Sequence, residues 1–66
     1  TLGEVEFRNA VKENLFLTEE FLQEYDYELN TVILQMYDLH YNNYVNVSQA
    51  SDLLLMFIEN FLNYEI

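Results

Sequence analysis

A chain of 66 residues with twelve acidic and two basic side chains carries a formal net charge of −10. It has room for one domain, residues 1–66, around one thin core, because a chain this short buries only about 60% of its unfolded surface, and without cysteine it has no disulfides or common zinc sites to add stability. The charge disfavours direct contact with nucleic-acid phosphate or an anionic membrane surface, whose ligands carry clustered Lys and Arg. It favours a basic protein partner, whose arrival the acidic field accelerates.

The longest apolar run, Leu53 to Ile58, falls far short of the roughly 20 residues that span a membrane. No basic segment leads into an apolar run as in a signal peptide. A cysteine-free composition fits a reducing compartment, so the expectation is a soluble cytoplasmic protein.

With no proline and a single glycine at position 3, nothing in the interior strongly breaks a helix. The expected fold is all-α, a three-helix antiparallel bundle over about 4–17, 19–41 and 47–65. In the first segment Phe7, Ala10, Val11 and Leu15 share one face, and Glu4 precedes Arg8 in the favourable i,i+4 order. Thr18 suits the N-cap of the second helix, with Glu19 and Glu20 against its positive end.

From Glu19 to Tyr41 the apolar positions Leu22, Tyr25, Leu29, Val32, Met36 and Leu39 are separated alternately by 3 and 4 residues. This heptad-like stripe predicts one continuous helix of roughly 34 Å packed against its neighbours. A second stripe of Tyr27, Asn30, Leu34, Tyr37 and Tyr41 lies well round the same helix, so two faces need cover.

The asparagine-rich segment from His40 to Val47 reads as a turn, after which either Asn46, with Gln49 three residues on, or Ser48 can cap the third helix. That helix carries apolar residues over an arc of about 200°, where a surface helix needs little more than 100°. Leu54, Leu55, Ile58, Phe61 and Leu62 are therefore the expected contacts of a homodimer, with self-association or a partner completing the bundle.

Catalysis finds little support. His40 is the only histidine and has no nucleophile in a recognisable arrangement beside it. Tyr37 stands where a Glu-x-x-His metal motif needs glutamate, and the asparagine-rich turn lacks the glycine of a calcium loop. No cofactor, metal or enzymatic activity is expected, and His40 is read as a packing or capping residue.

The carboxylates instead form a pattern. Five of the twelve fall within positions 19–28, and Glu20, Glu24 and Glu28 follow at i,i+4, about 5–6 Å apart on a helix surface, comparable with successive phosphates of a nucleic-acid strand. Asp38 extends the charge, while Tyr27 and Leu34 beside it supply apolar anchors. These six residues are the expected partner-binding surface of an acidic module that inhibits or regulates a nuclease, toxin or nucleic-acid-binding protein by occupying its cationic site. Antitoxins and immunity proteins work by this charge logic, although no motif assigns the chain to a family. The competing expectation is a helical oligomerisation module whose acidity serves solubility.

Overall fold

A computed structural model of the chain describes residues 1–62, which form four α-helices: α1 (Glu4–Leu15), α2 (Glu19–Glu24), α3 (Asp26–Tyr41) and α4 (Val47–Phe61). The expected end of the last helix, residues 63–65, lies outside the described residues. α1, α3 and α4 pack on one another, and the short α2 leans on α3. The whole measures 30 × 20 × 18 Å. No helix of the described residues is long and apolar enough to cross a membrane.

Local signals start α2 and α4 as the sequence predicts. The Thr18 hydroxyl accepts the Phe21 amide at 3.2 Å, closing the first turn of α2. At α4 the reciprocal box is complete: Asn46 Oδ1 accepts the Gln49 amide at 2.8 Å, and Gln49 Oε1 accepts the Asn46 amide at 2.9 Å. Two orphan donors are satisfied by one pair of side chains.

The expected single helix over 19–41 is divided at Tyr25, whose backbone angles of φ −108° and ψ 25° leave the helical region. Helical bonding runs to the Tyr25 amide on the Phe21 carbonyl and resumes with the Leu29 amide on the Tyr25 carbonyl. The break changes which side of α2 faces inward. In an unbroken helix Leu22 would lie about 20° from Leu29 and Phe21 about 80° away, yet Phe21 is buried and Leu22 only half-buried. Its ring packs on Tyr25 at a centroid distance of 4.8 Å. The break thus accompanies burial of the larger aromatic.

The core joins Phe7, Val11 and Leu15 of α1, Phe21 of α2, Leu29, Ile33 and Met36 of α3, and Ala50, Leu54 and Ile58 of α4. On α3 the inward face is rotated from the predicted stripe: Ile33 rather than Val32 is buried, and Leu39 is exposed while His40 turns in. The cause is α1. Phe7 stacks on His40 at 4.7 Å and meets Tyr37 at 5.5 Å, drawing the Ile33–Tyr37–His40 side of α3 toward itself.

Leu54 and Ile58, expected at a homodimer interface, are fully buried within the chain beneath α1 and α3. Leu55 and Leu62 are half-buried against the same core. Among the described residues Ser51 is the one buried polar residue; its hydroxyl donates to the Val47 carbonyl at 2.8 Å and accepts Asn14 Nδ2 at 3.2 Å. Ala50 and Ser51 are small, and this lets α4 approach α1 closely.

Candidate functional site

The outward face of α3 carries Tyr27, Leu34 and Tyr41 at intervals of seven residues, with 70%, 54% and 64% of their surface exposed. Heptad spacing keeps them nearly in line along about 21 Å of helix. Thr31 and Asp38 stand between them, both exposed. Thr31 is quiet, since its hydroxyl donates to the Tyr27 carbonyl at 2.8 Å. The Asp38 carbonyl accepts the Asn42 side-chain amide at 2.8 Å, fixing the end of the helix while leaving the carboxylate outward.

Of the six residues expected to bind a partner, Tyr27, Leu34 and Asp38 therefore share one exposed face of α3. Glu20 and Glu24 are exposed on α2, whereas Glu28 follows the break and is half-buried at the start of α3. The i,i+4 row of three glutamates is thus interrupted at Tyr25. Asp26, exposed at the first position of α3, adds a carboxylate at the junction; its Oδ1 accepts Asn30 Nδ2 at 3.0 Å. Charge at this end is set by the geometry of a helix junction, not by a continuous ladder.

Sign is distributed unevenly. Arg8 and Lys12 both belong to α1, and no lysine or arginine occurs from α2 onward. Exposed carboxylates on α2 and α3 consequently have no cation on their own helices to offset them. Tyr41, read in the sequence only as part of a second apolar stripe, joins Tyr27 and Leu34 as a third projecting anchor.

On α4 the apolar residues left outside are Leu53, Met56 and Phe61. Only Phe61 coincides with the expected homodimer contacts. Sequence spacing missed Leu53 and Met56 because the breadth of the apolar arc does not reveal which part α1 and α3 cover.

His40 is an organising residue. Its Nε2 accepts the Leu2 amide at 3.3 Å and its Nδ1 faces the Val45 carbonyl at 3.0 Å, so the ring ties the amino-terminal segment to the α3–α4 turn. The Tyr37 hydroxyl donates to the Leu2 carbonyl at 3.0 Å, holding that residue from both sides. Among the described residues no group of three or more His, Cys, Asp or Glu side chains is placed to hold a metal ion.

No protein-family model matches the chain, and comparison with curated proteins and with solved structures returns no match.

Proposed function

We propose that this protein is an acidic binding module that inhibits or regulates a basic protein by occupying its cationic site. The observation that carries this reading is the α3 face, where Tyr27 and Leu34 project beside Asp38 on a part of the chain without lysine or arginine. The carboxylates of Glu20, Glu24 and Asp38 meet Arg and Lys that otherwise bind phosphate, and the tyrosine and leucine supply desolvated contacts that hold the complex once formed. Interrupted at Tyr25, the acidic surface matches a curved or two-part basic patch better than a straight one. The role is binding and not catalysis.

The test is capture of a partner from the native host at low and high salt, with wild-type chain and two variants. Replacing Glu20, Glu24 and Glu28 together by Gln slows association and flattens its salt dependence, because distant charge acts chiefly on encounter. Leu34→Asp leaves the existing carboxylates in place and adds one more, yet shortens the lifetime of the complex because the apolar contact is lost. Binding kinetics untouched by either variant would remove this reading.

The second reading is a helical oligomerisation module with acidity serving solubility. Leu53, Met56 and Phe61, exposed along α4, favour it.

A further inference from the structure

Phe16 ends α1 in the left-handed region, φ 53° and ψ 41°, and its side chain is 90% exposed. Among the described residues one other non-glycine residue has a positive φ, Asn43 at 63° in the α3–α4 turn, where asparagine tolerates that backbone. Phenylalanine does not. A bulky residue in this region is strained, and here the ring gains almost no burial within the chain to offset the strain. Glycine or asparagine would end the helix at lower cost.

Beside the ring lies an open groove of about 580 Å³ between α1 and α2, lined by Lys12, Glu13, Asn14, Leu17, Glu19 and Leu22. One cation lines it, Lys12, and Arg8 stands one turn earlier on α1. We infer that this groove and the Phe16 ring form a two-fold interface with a second copy of the chain. Each copy offers an apolar knob, Phe16, next to an apolar floor, Leu17 and Leu22, and a two-fold axis lets the copies exchange knobs. In the same arrangement Lys12 of one copy meets Glu13 and Glu19 of the other.

Charge selects this occupant. Two chains of net charge −10 repel one another over most of their surface. Repulsion is least at α1, where the cations are. At the α4 edge Asp52 and Glu59 stand exposed with no lysine or arginine on that helix, so Leu53 and Met56 are the poorer site for self-association. The groove is mixed in sign, Lys12 beside Glu13 and Glu19, so two copies can pair opposite charges across it, whereas α3 offers a basic partner carboxylates with no cation among them. The inference gives self-association a face other than α4 and leaves the proposed partner surface free.

Sedimentation of the full chain across micromolar concentrations and a range of salt tests it. A dimer is expected whose population grows with added salt, as screening weakens the overall repulsion. Phe16→Asn, compatible with the backbone, weakens dimerisation roughly tenfold or more, as loss of an interface anchor does, while its thermal midpoint does not fall at concentrations where both chains are monomeric. Lys12→Glu weakens it further at low salt than at high. A chain monomeric at every salt concentration overturns the inference. So does a dimer indifferent to Phe16→Asn but dissociated by Leu53→Glu or Met56→Glu, an outcome that would keep self-association and move it to α4. Neither result bears on partner capture through α3, which is read with Leu34→Asp.

Discussion

The Leu2 amide donates to Nε2 of His40 at 3.3 Å, across 38 positions of sequence, and this leaves Nδ1 to donate to the Val45 carbonyl at 3.0 Å. One ring thereby fixes three segments, with its face on buried Phe7. Replacing it separates hydrogen bonding from packing. His40→Phe keeps a ring on Phe7 and loses both bonds, costing about 1–2 kcal/mol. His40→Ala also opens a cavity and costs about 2–4 kcal/mol. Urea unfolding measures both, and equal losses would show that the ring contributes little beyond its bonds.

Phe16 provides a second test in the stability of the single chain. Relief of the left-handed strain is worth about 1–2 kcal/mol. For Phe16→Gly the freer unfolded chain takes back about 0.4–1 kcal/mol. The sum remains favourable, so Phe16→Gly unfolds at higher denaturant than wild type at concentrations where both are monomeric. Phe16→Asn avoids most of the entropic loss and is stabilised similarly. A destabilised Phe16→Gly would mean that the ring makes contacts the fold needs.

Ser51 joins α4 to α1 through Asn14. Ser51→Ala leaves the Asn14 amide without this acceptor at a part-buried site and costs about 1 kcal/mol. Ser51→Leu is worse, about 1–3 kcal/mol, because the added volume has to separate two helices that are in contact there. Thermal unfolding ranks the two, and the reverse order would place slack between the helices.

Leu54 and Ile58 belong to the intramolecular core, whereas Leu53 and Met56 face outward. Leu54→Ala or Ile58→Ala removes about 2–5 kcal/mol, a large share of the stability of a domain this small, roughly 3–10 kcal/mol. Leu53→Glu and Met56→Glu in the single chain stay within about 0.5 kcal/mol of wild type. Circular dichroism melts at low concentration check the contrast. Equal damage at all four positions would mean that α4 is covered more widely than its packing on α1 and α3 implies.

The starts of α2 and α4 are set by neighbours three residues apart. Thr18→Ala costs about 1 kcal/mol, and Asn46→Ala about 1–2 kcal/mol because it breaks a reciprocal pair. Amide exchange at Phe21 and Gln49, the residues whose amides these side chains accept, reports each loss directly.

These capping interactions were legible in the sequence because they are local, as was the helical period of α1 with Phe7, Val11 and Leu15 on one side. A hydroxyl or amide side chain satisfies a donor one turn away whatever the rest of the chain does. The candidate binding face was half legible on the same grounds: Tyr27, Leu34 and Asp38 share a face by spacing alone. Glu28 leaves the row of Glu20 and Glu24 because the helix breaks at Tyr25, and no local pattern requires that break. It follows from bringing Phe21 into a core built by residues far along the chain.

Long-range packing decided the rest. The breadth of the apolar arc on α4 was plain from residue order, but α1 and α3 determine that Leu54 and Ile58 go inside while Leu53, Met56 and Phe61 stay out. His40 replaces Leu39 on the inner face of α3 because Phe7 and Leu2 arrive there from the other end of the chain. Phe16 looks in sequence like one more apolar residue at the end of a helix. Only the path of the chain into α2 turns its backbone left-handed and its ring into solvent. Periodicity fixes which residues can share a surface; the competition among helices for a small core fixes which surface is buried.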